Sequence, residues 1–190
     1  MLLVVGLGNP GPSYRNHRHN VGFMVVEKFH DRIDASEWRE KFSGLSSKGL
    51  CAARETHLLM PQTFMNLSGR AVQKAATQLG AKPADIIVVH DDLDLPYGDV
   101  RVKVGGGHGG HNGLRDITAV IGADYLRIRV GIGRPTVGTV EHFVLSSFAK
   151  EEAPELPGVI DRAVEALEGL IVDGPAPTMN KTNARPKKKQ

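Results

Sequence analysis

The sequence predicts a single-domain α/β protein, a three-layer α/β/α sandwich around a twisted, mostly parallel mixed sheet. Three observations carry this. Apolar, strand-like runs alternate with segments of helical period. Two of those runs, "LLVVG" and "DIIVVH", are apolar without alternation, as central strands covered on both faces are. The chain has 190 residues, 41% hydrophobic and 24% charged, enough for one core without staples.

In chain order, "LLVVG" reads as the first buried strand. "VGFMVVEKFHDRI" places Val21, Met24, Val25, Phe29 and Ile33 near helical spacing, so the first helix is expected to begin near Asn20. "CAARETHLLMP" contains short strand-like runs stopped by Pro61. "SGRAVQKAATQLG" reads as a helix with Gly80 as its stop. "DIIVVH" is a central strand, and "DVRVKV" and "LRIRVGIG" alternate like strands with one polar face. Between these last two, "GGGHGGHNGLRDITAVIG" is a glycine-rich loop running into a short helix. Residues 154–171 set Leu156, Val159, Ile160, Ala163, Val164, Leu167, Leu170 and Ile171 on one helical stripe. The fold is expected over residues 1–174, with 175–190 as a basic, disordered tail.

Composition bounds the function. Cys51 stands alone, which excludes an intramolecular disulfide and suits a reducing, cytoplasmic setting. The opening residues have no basic segment, and Gly6, Gly8 and Pro10 break their apolar run, so no secretion signal is expected. No stretch approaches the roughly 20 apolar residues that span a bilayer. The net charge of +3 sits mostly in "NKTNARPKKKQ", which permits a nucleic-acid partner without demanding one.

Gly6, Gly8 and Gly11 have G-x-G-x-x-G spacing. A dinucleotide site needs a helix starting at the third glycine. Here Pro10 and Pro12 flank that glycine, "SYRNHRHN" has no apolar period, and no acidic residue follows a second strand at the right distance. The glycines and prolines are better read as a tight turn that presents Asn9 and leads towards His19.

Sites in such folds lie beyond the carboxyl ends of the strands. Asn9, His19, His90, Asp91 and Asp92 all follow apolar runs. No serine occupies a G-x-S-x-G elbow, and Cys51 lies in a short apolar segment as a buried small residue would. The pairs His17/His19 and His108/His111 lack helical H-x-x-x-H spacing, and one cysteine cannot build a structural zinc site. Asp91 and Asp92 could hold Mg²⁺ for a phosphoryl or nucleotide-dependent enzyme. Alternatively, a histidine could act as general base on water, with a carboxylate fixing its tautomer, and His19 with Asp91 could be that pair. A purely structural use stands beside it: Asp91, Asp92 and Asp94 as turn formers before Pro96, and the histidine as a capping group.

Five stretches, "VGLGNPG", "RHNVGF", "PQTFMNLSG", "VVHDDLDLP" and "GGGHGGHNGLRDI", together resemble the bacterial-type peptidyl-tRNA hydrolases, in order and spacing, over residues 3–174. The resemblance implies a monomeric cytoplasmic esterase, without cofactor, metal or obligate protein partner, that cleaves the ester between a peptide and the tRNA 3′ ribose. It implies that His19 is the base that activates water and that Asp91 holds it. Asn9 would distinguish N-blocked peptidyl esters from free aminoacyl esters, and Asn66 and Asn112 would hold the substrate near the ester. Tyr14 and Phe64 match positions that touch the 3′ CCA end or the peptide, and Lys103 and Arg129 match positions that grip tRNA phosphate. His17 departs from the family, which often carries threonine there.

The side chains suit these roles. Asparagine offers both donor and acceptor, so it can track a peptide main chain of any sequence. Asn66 or Asn112 could stabilise the oxyanion. The glycine-rich loop has the freedom to act as a lid. Arg101, Arg127 and Arg134 could join Lys103 and Arg129 in phosphate binding, and Lys187, Lys188 and Lys189 could add non-specific attraction. A non-catalytic RNA-binding module is the remaining rival, which the His19/Asp91 pair disfavours.

Overall fold

A computed structural model describes residues 1–184. One seven-stranded sheet runs through the molecule in the order β2-β3-β4-β1-β5-β7-β6. The central strands β4 (Arg54–Pro61), β1 (Leu2–Gly6), β5 (Ile86–Asp92) and β7 (Leu126–Gly131) are parallel. The margins are antiparallel: β2 (Arg39–Lys41) and β3 (Gly44–Cys51) on one side, β6 (Val100–Val104) on the other. The parallel part is thus the centre of a mixed sheet, and it contains both strands that read as continuously apolar.

Two cores sandwich the sheet. On one face α1 (Val21–Arg32) and α5 (Leu156–Val172) bury Val25, Phe29, Val164 and Leu167 against Val4, Leu58, Val89 and Ile128. On the other, α2 (Ser68–Leu79) and α3 (Asn112–Ile121) bury Val72, Ala75, Leu114 and Ile117 against Val5, Leu59 and Val88. The alternation of side chains along each strand divides them between the two cores. Gly80 ends α2 in the left-handed conformation, as a helix stop does.

The opening glycines serve packing. A Cβ at Gly6 would lie 2.5 Å from the Gly22 carbonyl oxygen, and one at Gly8 would lie 2.7 Å from the Phe23 ring. They let α1 close onto β1, while Gly11 takes φ +106° in the turn beyond. The first helical residues are Pro12–Tyr14 in a single 3₁₀ turn, and α1 starts only at Val21.

The run "CAARETHLLMP" is strand as expected, closing one arm of a hairpin and supplying the other, turned at Ala52 and Ala53 and stopped at Pro61. One expectation needs correction. The tail is not disordered from residue 175: Pro175–Thr182 forms α6, with proline in its first turn where no N–H is needed. Asn183 then pairs with the edge strand, its Oδ1 accepting from Val102 N–H (2.8 Å) and its Nδ2 donating to the Val102 carbonyl (2.9 Å). Lys187, Lys188 and Lys189 lie outside the described residues.

Candidate active site

The neighbouring strands β1 and β5 bring two distant segments together. Leu7 N–H continues the pairing onto the Val89 carbonyl (3.0 Å), so the loop after β1 emerges beside Asp91. A 3₁₀ turn at Arg18–Asn20 then carries His19 into the same place. His19 Nδ1 stands 2.8 Å from Asp91 Oδ2, although 72 residues separate them. Both are buried, at 9% and 3% exposure, at the floor of a cleft of about 440 Å³.

A second histidine shares the carboxylate. His111 Nε2 lies 2.8 Å from Asp91 Oδ1. Its Nδ1 accepts from the backbone N–H groups of Gly113 (3.1 Å) and Leu114 (3.3 Å), capping α3. That cap requires an unprotonated Nδ1, so the His111 proton sits on Nε2 and points at Asp91. Asp91 thereby receives one imidazole N–H on each oxygen. His19 must donate from Nδ1, which leaves its Nε2 lone pair without a partner among the described residues. From sequence, His111 stands out only beside His108, a pair without metal-ligand spacing. Its position just before a helix was the available signal.

The electrostatics follow from burial and pairing. Burial works against the His19 imidazolium, but the charge and hydrogen bond of Asp91 outweigh it, and the His19 pKa lies above its ordinary 6.5. Burial works against the Asp91 carboxylate too, yet His19 and His111 together hold it far below the ordinary range. His90 is the opposite case. Burial, then the neighbouring His111, push its pKa well down, while its Nδ1 donates to the Asp91 carbonyl (2.8 Å). Its Nε2 is buried without a partner among the described residues.

His19, Asp91 and His111 offer three donor atoms within 4.8 Å of one another, a set that could in principle take a metal. Each imidazole nitrogen stands at hydrogen-bond distance from its own carboxylate oxygen, so hydrogen bonding accounts for the cluster as it stands. Asp92 is turned to other use: it accepts from Arg129 Nε (2.8 Å) and from Asp94 N–H (2.8 Å).

Asn9 is fixed from both sides. Asn20, buried, receives the Asn9 N–H on its Oδ1 (3.0 Å) and donates Nδ2 to the Asn9 carbonyl (2.9 Å). Asn9 Oδ1 accepts from Met65 N–H (2.7 Å), so only its Nδ2 donors remain to offer. Asn112 lines the cleft with His19 and Asp91, as do Lys103 and Arg129. Asn9 instead borders a second cleft of about 690 Å³, to which Phe23, Met24, Leu45 and Met60 contribute apolar side chains. Tyr14, Phe64 and Asn66 line neither cleft. Tyr14 meets Phe64 edge-on (centroids 6.4 Å apart), and Phe64, 58% exposed, precedes the turn that Asn9 fastens through Met65. His17 packs edge-on against Tyr14 at 5.6 Å.

These positions can be set against known proteins. The peptidyl-tRNA hydrolase family model matches residues 3–190. The chain belongs to the peptidyl-tRNA hydrolase family. It is 53% identical over 184 residues to a peptidyl-tRNA hydrolase of Geobacter sp. strain M21, covering 96% of this chain and 98% of that one. It is 52% identical to the enzyme of that name from Citrifermentans bemidjiense, with the same coverage. The crystal structure of peptidyl-tRNA hydrolase from Acinetobacter baumannii superposes with a TM-score of 0.90 at 40% identity, over 97% of this chain and 95% of that one. That peptidyl-tRNA hydrolase therefore shares the α/β fold of this chain.

Proposed function

We propose that this chain hydrolyses the ester between a peptide and the 3′ ribose of tRNA, with His19 as general base and Asp91 as its orienting carboxylate. The reaction follows from family membership, and the residue roles rest on one observation: His19 Nδ1 stands 2.8 Å from Asp91 Oδ2 at the cleft, an arrangement in which the proton is held on Nδ1 and Nε2 acts as the base. Nε2 takes a proton from water as its oxygen attacks the ester carbonyl. The imidazolium that forms is stabilised by Asp91. Asn112 donates to the oxyanion, a role supported by its lining the cleft where Asn66 does not. The intermediate expels the ribose oxygen, which recovers the proton from Nε2. The products are a peptide carboxylate and tRNA.

Asn9 supplies the choice of substrate. With Oδ1 committed to Met65 N–H, it presents only donors. A peptidyl or N-acyl ester offers them an amide carbonyl, and a free aminoacyl ester offers an ammonium group instead. Lys103 faces the cleft with no protein partner among the described residues, so it is the readiest phosphate ligand. Arg129, bound to Asp92, is the second. Tyr14 and Phe64 form an aromatic edge for the CCA end. The enzyme acts as a cytoplasmic monomer without metal or cofactor, and no helix among the described residues is long and apolar enough to cross a membrane.

Incubation with N-acetyl-aminoacyl-tRNA and its unblocked equivalent, with and without EDTA, tests the reading. Rapid hydrolysis of the blocked ester alone, indifferent to chelator, is expected. Chelator-sensitive turnover would transfer the chemistry to a metal, and tRNA binding without hydrolysis would leave a binding module. His19→Ala should abolish turnover while leaving affinity for uncharged tRNA within about twofold.

A further inference from the structure

Arg18 adjoins the base in sequence but does not line its cleft. Its side chain is buried, a costly state for a guanidinium unless it is paired and hydrogen-bonded. Nη2 donates to Glu152 Oε1 (2.9 Å), and Nη1 to Ser146 Oγ (2.7 Å) and the Phe143 carbonyl (3.4 Å). The guanidinium carbon lies 4.1 Å from the Phe143 ring centroid, within cation–π range. The backbone repeats the connection: Arg18 N–H donates to the Ser146 carbonyl (2.9 Å), and His17 and Ser147 form an isolated antiparallel bridge.

Glu152 gathers the rest. Its Oε1 also accepts from Ala149 N–H (2.9 Å), and its carbonyl accepts from the Tyr97 hydroxyl (2.6 Å). One ion pair thus joins three segments around the cleft. They are the turn bearing His19, the segment of α4 (Val140–Val144), and the loop after β5 that runs through Tyr97. From α4, Val140, Glu141 and Val144 form part of the cleft wall.

We propose that Arg18 and Glu152 are positioning residues that clamp this wall to the turn carrying His19, so that base and wall meet the ester in one fixed arrangement. Neither touches substrate. A buried ion pair contributes little net stability compared with apolar packing of the same volume, so what this one gives the enzyme is geometry. Lys103 lies on β6, an element that neither residue of the pair touches, so loosening the wall is expected to leave it in place. The inference rests on the hydrolase reading above.

The test uses the full chain with Glu152→Gln and the milder Arg18→Lys, which keeps the charge but loses the fork to Ser146 and Phe143. Steady-state hydrolysis of N-acetyl-aminoacyl-tRNA gives kcat and KM, titration with uncharged tRNA gives Kd, and thermal melts report folding. Misplacing a base by a fraction of an ångström is expected to lower kcat about tenfold or more. Affinity for uncharged tRNA should stay within about twofold, with Arg18→Lys intermediate in kcat. Folded variants with wild-type kcat would overturn the clamp, as would kcat and tRNA affinity falling in parallel. If neither variant folds, the pair is a folding element and the proposal fails. Wild-type protein inactive on both esters would strike down the hydrolase reading itself, and the clamp with it.

Discussion

The floor of the cleft and its rim use the same residue types in opposite ways. On the floor, Asp91 is buried between His19 and His111, with one imidazole nitrogen at each of its oxygens. On the rim, Asp92 holds Arg129, and Asp94 holds Arg134 at about half exposure, with Lys103 nearby. Asp91 and Asp92 are adjacent on β5, so strand alternation turns them to opposite faces of the sheet, where one meets His19 and His111 and the other Arg129. Away from water a carboxylate can impose a tautomer and raise an imidazole pKa, whereas solvent and salt screen an exposed pair such as Asp94–Arg134 to about 1 kcal/mol or less. The floor is suited to chemistry and the rim to adjustable attraction for a polyanion.

The largest effect that should separate the two regions comes from Asp91→Asn. The amide puts an NH2 donor where one of the two carboxylate oxygens stood, so in the same geometry one imidazole N–H meets a donor, and either His19 takes the wrong tautomer or His111 loses its partner. Turnover should fall by about a thousandfold or more, with tRNA affinity preserved. The pH–rate profile sharpens this. In the wild type the acid limb should lie above pH 6.5, because Asp91 raises the His19 pKa and the base must be unprotonated. Without that charge, burial acts unopposed and the limb should move to lower pH. A limb that stays in place would detach Asp91 from the base.

His111→Ala comes next. It removes one of two groups holding Asp91 and the N-cap of α3, so kcat should drop about tenfold and stability by about 1 kcal/mol. Loss of stability with unchanged kcat would reduce His111 to a cap. Lys103→Ala, on the rim, should raise KM by several-fold at low salt and lower the slope of log affinity against log salt by about 1. A pure kcat effect there would erase the distinction between floor and rim. Ala53→Gly, far from both, should raise stability by about 0.5–1 kcal/mol and leave kinetics untouched, since Ala53 has φ +65° in the β3–β4 turn. Melts and rates measured on one preparation would check it.

That turn also shows why parts of the fold were hard to read. The two hairpins bend at Phe42–Ser43 and Ala52–Ala53, all four residues with positive φ and none of them glycine or asparagine. Strand β2 is three exposed polar residues with no alternation to detect. The strands β1 and β5 and the helices α2 and α5, by contrast, carry their apolar period in full. Helix α6 was masked by Pro175, which reads as a break and sits instead in a first turn. In the site, His19 and Asp91 were legible from their motifs. The clamp through Arg18 and Glu152, 134 residues apart, was not, because neither residue has a local pattern that marks it.

The sequence by itself determined the layered α/β architecture, the central strands and the polar motifs that follow them, because apolar periodicity and turn chemistry are local properties of the chain. Only the tertiary structure decided that β1 lies beside β5, and so that His19 and His111 approach one carboxylate from two sides. It also decided that Gly6 and Gly8 bring a helix close to a strand instead of cradling phosphate. Strand order and the meeting of distant loops depend on which faces can be buried together, and that is a property of the whole packed chain.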